Sequence, residues 1–248
     1  ARGRVIAFGG RILGDGEPKY LNSPDTPLFD KGRTLYNIDR AGPASRKANR
    51  LIVVEGYMDV IALDRAGIAE AVAPNGTAVT EAQLERMWRL DPAPILCFDG
   101  DAAGRKAAWR ALETSLPHAT DAKAIRFLFL PEDEDPDTYV RKHGKDAFEG
   151  LLGKSVPLSR FLIDELTGRV DLATAEGRAR CVHEAKPLLR QVPAGVIRLQ
   201  LVRELAEKTR LTADELMQAC ELASLSAQPP GAPARVARTP PTPLARQL

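Results

Sequence analysis

Six carboxylates in this 248-residue chain have spacings that suit metal-assisted phosphoryl chemistry. Glu55 closes the apolar run Leu51-Ile52-Val53-Val54, and Asp59 follows one helical turn later. Asp99 and Asp101 close the run Ile95-Leu96-Cys97-Phe98 with only Gly100 between them, and Asp135 and Asp137 follow the apolar segment AIRFLFL. Like charges this close are costly unless a cation sits among them. Oxygen ligands without His or Cys favour a hard ion, Mg²⁺ or Mn²⁺. Two such ions about 4 Å apart can hold the attacking and leaving oxygens of a phosphoryl transfer. Gly100, lacking Cβ, would let the backbone turn sharply and bring a phosphate or metal close. Taken singly, an Asp-Gly pair after a strand is as readily a plain turn, and EDEDPD reads as a solvated loop. The inference rests on their conjunction, because each set of acids follows a different apolar strand.

The elements that must position these acids are an alternation of strands and helices over residues 51–146. LIVVEG, EAVAP, PILCF and AIRFLFL are short apolar runs of the kind covered on both faces of a parallel sheet. Helical spacing follows each: YMDVIALDRAG with its stopping Gly67, EAQLERMWRL with a Thr80/Gln83 capping box, AAGRKAAWRALETSL, and a short helix around PDTYVRKHG. Parallel strands with right-handed crossovers bring their carboxyl ends to one edge, where ligands bind in open α/β sheets. Residues 147–224 read as all helix, a small bundle. Residues 1–50 are rich in Gly and Pro and read as hairpins and loops.

Composition narrows the classes. Residues 1–50 hold ten Lys/Arg against five Asp/Glu, although the whole chain is only +2. Cys97, Cys181 and Cys220 are far apart, which fits neither a zinc cluster nor a disulfide framework and suits a reducing cytoplasm. No apolar stretch approaches ~20 residues, so no membrane partner is expected. The chain opens in mid-motif without a start methionine, as an excised fragment would. Residues 225–248 carry six prolines, three arginines and no acid, a disordered linker composition.

Three segments, VVEGYMDVIAL, CFDGDAAGRKAAWRAL and LPEDEDPDTYVRKHG, resemble the motifs of a TOPRIM domain in the form found in bacterial DNA primases of the DnaG type. GRVIAFGGRILGDGEPKYLNSPDTPLFDKGRTLYN resembles the segment that precedes TOPRIM in those enzymes, and the likeness covers roughly residues 2–220. It implies an α/β fold: a TOPRIM-like parallel sheet flanked by helices, preceded by a small mixed α+β segment and followed by a helical bundle. The implied domains are part of a basic subdomain at 1–50, TOPRIM at 51–146, the bundle at 147–224 and the linker at 225–248.

The resemblance also implies an activity: an RNA polymerase core making short RNA primers on single-stranded DNA. Glu55, Asp99 and Asp101 would be catalytic. Those three with Asp59, Asp135 and Asp137 would hold two or more Mg²⁺ or Mn²⁺ ions. Arg11, Lys19, Asn22 and Lys31 would form a basic ridge for template and nucleotide. Lysines and arginines there neutralise phosphates without reading sequence, and Asn22 could bond a phosphate, a sugar or a base edge. Arg11 and Lys31 have structural readings as well, Lys31 as decoration of a turn. Expected partners are template DNA, RNA primer, ribonucleoside triphosphates and a replicative helicase. The family's zinc domain and helicase-binding domain are expected outside this chain, so the fragment alone would prime poorly.

Two other classes remain open from sequence: a TOPRIM enzyme that cleaves DNA, and a non-catalytic docking module of a replication complex. Tyr20, Tyr36, Tyr57 and Tyr139 lie inside or before the sheet, where a topoisomerase nucleophile is not expected. GLLGKS fails as a phosphate-binding loop because Phe148 stands where a glycine is needed. Asn75-Gly76-Thr77 reads as a loop more readily than as a phosphate cradle. Trp88 and Trp109 read as core rather than as base-stacking residues.

Overall fold

The computed structural model describes residues 4–12, 16–18, 20–74, 76 and 78–222. Lys19, Asn75, Thr77 and the 225–248 linker therefore lie outside the described residues.

The chain opens with an antiparallel ribbon, β1 (Gly9–Arg11) and β2 (Tyr20–Asn22). β3 (Leu35–Tyr36) then joins the edge of the main sheet, and α1 (Ile38–Ala48) packs beside it. The alternating region follows as β4 (Ile52–Val53), α2 (Tyr57–Arg65), β5 (Ala71–Pro74), α3 (Glu81–Trp88), β6 (Ile95–Phe98), α4 (Ala102–Ser115), β7 (Arg126–Phe129) and α5 (Pro136–Leu152). A short strand, β8 (Val156–Pro157), precedes four helices: α6 (Leu158–Gly168), α7 (Ala175–Gln191), α8 (Val196–Thr209) and α9 (Ala213–Ala219).

The six-stranded sheet has the order β3-β5-β4-β6-β7-β8. Its four central strands are parallel and its two edges antiparallel. The chain leaves β4 for β5 on one side, then crosses to β6 on the other. The carboxyl end of β4 is thus the switch point at which such sheets open a crevice.

Each strand sends alternate side chains to opposite faces. Ile52, Val54, Ala71, Ala73, Ile95, Cys97 and Leu128 meet Val60 and Leu63 of α2 and Val140 and Phe148 of α5. Val53, Val72, Leu96, Phe98 and Phe127 face the other way, into a core shared with α3, α4 and the four last helices. Phe127 is fully buried there against Phe161, with ring centroids 4.5 Å apart. Burying such a ring contributes about 2 kcal/mol.

Two elements depart from the residue pattern. Gly42 and Pro43 mark the 1–50 segment as loop, yet α1 runs through both, with Ala41, Gly42 and Ser45 buried. Packing against the sheet outweighs the local preference. Residues 147–224, expected wholly helical, begin with the end of α5 and carry β8, which is too short for periodicity to reveal. The α5 axis breaks at Gly144, whose φ of 80° favours glycine. Beyond that break, Glu149 forms a bidentate pair with Arg50, and Arg50 also bonds the buried Glu70. Glu149 holds the Arg50 guanidinium firmly charged against the cost of burial.

Candidate metal centre and nucleic-acid interface

The carboxyl ends of β4, β6 and β7 are neighbours in the sheet, so the acids that follow them are brought to one place. Glu55, Asp59, Asp99, Asp135 and Asp137 line a single cavity of about 380 Å³ together with Arg11 and Asn22. Tyr20, Tyr57 and Gly76 complete much of the rest. Asp101 is not on that wall. It stands at the start of α4, close enough for its charge to act on Glu55 and Asp99.

Local structure fixes each acid. Asp101 caps α4, its Oδ1 accepting the Gly104 amide at 2.7 Å. Asp135 caps α5, accepting the Thr138 amide at 2.6 Å. Asp59 reaches back to accept the Gly56 amide at 3.0 Å, and it also accepts the Asp137 backbone amide. Three of the six acids therefore satisfy helix-start N–H groups as well as facing the site. Asp137 pairs with Arg141 one turn on, at 2.9 Å. Glu55 and Asp99 cap no helix. They are joined directly, the Asp99 amide donating to Glu55 Oε1 at 3.3 Å.

The glycines act differently from the expectation that Gly100 admits a ligand. A Cβ on Gly100 would lie 1.9 Å from the Pro131 carbonyl oxygen, and one on Gly104 would lie 2.3 Å from the Asp99 carbonyl oxygen. The missing side chain at Gly100 lets the loop after β7 close on the loop after β6, and the Gly100 amide donates to the Glu134 carbonyl at 3.2 Å.

Crowding raises the acids' proton affinity. Burial, with the charges of Glu55, Asp59, Asp135 and Asp101, pushes Asp99 up to about 7. Burial, with Asp135 and Asp137 nearby, pushes Asp59 up to about 6 against the opposing pull of the Gly56 amide. Burial also raises Glu55, with the Asp101 charge adding and the Asp99 amide and Arg110 opposing. Asp99 Oδ1 is buried with no hydrogen-bond partner. Together these describe an oxygen site short of positive charge, as a divalent cation requires.

Among the described residues, no three carboxylate, His or Cys side chains close on one ion position. The acids surround a space rather than forming a cage.

Of the expected basic ridge, Arg11 and Asn22 reach the cavity. Lys31 is not on its wall. Its backbone serves structure, with the amide donating to Asp25 Oδ1 at 2.9 Å and the carbonyl accepting from Gln83 Nε2 at 2.9 Å. Tyr20 and Tyr57 enter the sequence reading only as unsuitable nucleophiles, but both face the acids. Arg110 lines a second cavity of about 260 Å³ that also opens on Glu55. Its place two turns into α4 gives no motif signal. Trp88 and Trp109 are half-buried and pack against the core from its edge rather than lying within it. Trp88 donates to the Ala124 carbonyl, and Trp109 lies under Arg169.

Three family models match the chain: "DNA primase catalytic core, N-terminal domain" over residues 1–42, "Toprim domain" over 49–126, and "DnaB-helicase binding domain of primase" over 159–214. The last match corrects the expectation that a helicase-binding segment lies wholly outside this chain. The DNA primase of Escherichia coli K12 is 52% identical over 217 residues, covering 88% of this chain. The chain spans 37% of that curated relative's length. A crystal structure of a DNA primase domain from Pseudomonas aeruginosa superposes with a TM-score of 0.84 at 50% identity, covering 89% of this chain and 69% of that one. A structure described as the DnaG primase catalytic domain bound to ssDNA gives 0.80 at 52% identity, covering 86% and 68%.

Proposed function

As this chain belongs to the bacterial DNA primase family, we propose that it is part of a primase polymerase core that makes short RNA primers on single-stranded DNA by metal-dependent nucleotidyl transfer. The observation that carries the reading is the cavity itself, where acids from three adjacent parallel strands face Arg11 and Asn22. Use of divalent metal is general to the Toprim and primase families that the chain matches. Here the ions would be Mg²⁺ or Mn²⁺, two or more, held by Glu55, Asp59, Asp99, Asp101, Asp135 and Asp137. When bound, they would acidify a primer 3′-hydroxyl and offset charge on the reacting phosphate.

The chain's own residues do the rest. Asp99 and Asp101 are set on either side of Gly100 by the Pro131 contact and the α4 cap, so their carboxylates arrive pre-oriented. Glu55, raised by burial and tethered by the Asp99 amide, is placed to hold the hydroxyl proton as the new bond forms. Arg11 takes a phosphate of template or incoming nucleotide, and Asn22 a phosphate, sugar or base edge. Lys19, within the same basic segment, would add a phosphate contact. Lys31 would contribute only along the ridge beyond the cavity.

Proposed partners are template DNA, RNA primer and ribonucleoside triphosphates, with a replicative helicase contacted through residues 159–214. The setting would be the bacterial cytoplasm. Among the described residues, no helix is long and apolar enough to cross a membrane. No specific observation favours DNA cleavage or an inert docking module.

The test has two parts. Calorimetry on this chain should show Mn²⁺ binding that Asp99→Asn abolishes. In the full-length enzyme, Asp99→Asn should abolish dinucleotide synthesis while leaving the fold intact. Normal synthesis by that variant would refute the assignment.

A further inference from the structure

We propose that Tyr36 stacks an unpaired base of single-stranded DNA at the rim of the carboxylate cavity. This deepens the polymerase reading and rests on it. Among the described residues, the exposed aromatic side chains are Phe8, Tyr20 and Tyr36, and all fall in the basic segment 1–50. Exposed aromatic rings among cations are the means by which proteins bind single strands without reading sequence, because every base offers a π-face.

Tyr36 is the best placed of the three to hold a strand. Its backbone pairs with Ala73 on β5, and its neighbour Leu35, fully buried, pairs with Pro74, which lines the cavity. The ring is thus presented from a fixed strand at the cavity's edge. It packs against Tyr57 at 5.9 Å between centroids, and Tyr57 packs against Tyr20 at 5.7 Å, with the Arg11 guanidinium over Tyr20 at 5.7 Å. The row runs from Tyr36 through two cavity-lining tyrosines and ends on a cation suited to a phosphate.

The position distinguishes strand from incoming nucleotide. Tyr20 and Tyr57 line the cavity and Tyr36 does not, so Tyr36 lies one ring farther from the chemistry. A strand approaching five carboxylates is repelled along its phosphates. An uncharged stacking contact at the rim adds affinity without adding to that repulsion.

The experiment measures binding of a short fluorescein-labelled oligothymidine to this chain by anisotropy at low salt. Tyr36→Ala should weaken binding by roughly five- to hundredfold. Tyr36→Phe should stay within about twofold, since the ring and not the hydroxyl does the stacking. Tyr36→Trp should bind as well as the parent and gain indole fluorescence that the strand quenches. The Ala variant should keep the parent's Mn²⁺ affinity and its affinity for a ribonucleoside triphosphate. The proposal is overturned if the Ala variant binds as the parent does, if Phe loses as much as Ala, if Trp fluorescence is unquenched, if triphosphate binding falls with strand binding, or if the parent binds no strand. None of these results bears on metal binding by Asp99, so the polymerase reading stands or falls separately.

Discussion

The backbone amide of Asp99 donates to the side chain of Glu55 across 3.3 Å, joining the ends of two neighbouring parallel strands. The pair sits where the chain switches direction across the sheet, among acids whose charges raise Asp99. From that contact follow expectations about charge, pH and folding.

Removing the Asp99 charge should stabilise the metal-free chain at alkaline pH. Its folded pKa of about 7 is raised above the unfolded value, so the favourable proton is fully present at low pH and is lost as pH rises through 7. Asp99→Asn should therefore raise the melting temperature most at pH 8 in a chelating buffer, less at pH 5, and little below the unfolded value of 3.8. A lower melting temperature at pH 8 would show that the site is not strained by charge.

Divalent ions should bind with proton release. Asp99 and Asp59, raised to about 7 and about 6, must shed protons to serve as ligands. Apparent Mg²⁺ affinity should climb between pH 6 and 8, and calorimetry in buffers of different ionisation heat should count the protons. A flat profile across that window would contradict the shifts.

Gly100→Ala should damage the site without touching an acid. The new Cβ would meet the Pro131 carbonyl oxygen at 1.9 Å, so one of the two loops must move. A cost of about 2–3 kcal/mol is expected, with Mn²⁺ affinity falling in parallel. Denaturant unfolding and metal titration of the same variant would check both.

Asp121 accepts the Ile197 amide at 2.9 Å, supplying from the β7 side a cap for the start of α8 that Gly195 cannot give. Asp121→Ala should cost about 1 kcal/mol in urea unfolding, with no effect on metal binding.

The sheet was legible in the sequence because its strands are apolar runs punctuated by turns, and the acids because they end those runs. The Thr80/Gln83 box was equally open to reading, and both of its hydrogen bonds form. The role of α1 was hidden because Gly42 and Pro43 signal a break, and burial against the sheet speaks only in three dimensions. The close fit at Gly100 could not be read, since its neighbour Pro131 is remote in sequence. The capping duties of Asp59, Asp101 and Asp135 were masked by their chemistry, because an acid that suits a metal also suits a helix start. Tyr36 entered the sequence reading only as an unsuitable nucleophile, because its pairing with β5 beside the cavity is a contact between residues remote in sequence.

The double employment of those three aspartates has an evolutionary corollary. In a descendant that had lost catalysis, selection for folding alone would preserve Asp59, Asp101 and Asp135, because each satisfies an amide at a helix start. Glu55 and Asp99 have no such second livelihood, and they would be the first to drift. Among relatives of unknown competence, the fate of that pair is the marker by which working enzymes part from relics.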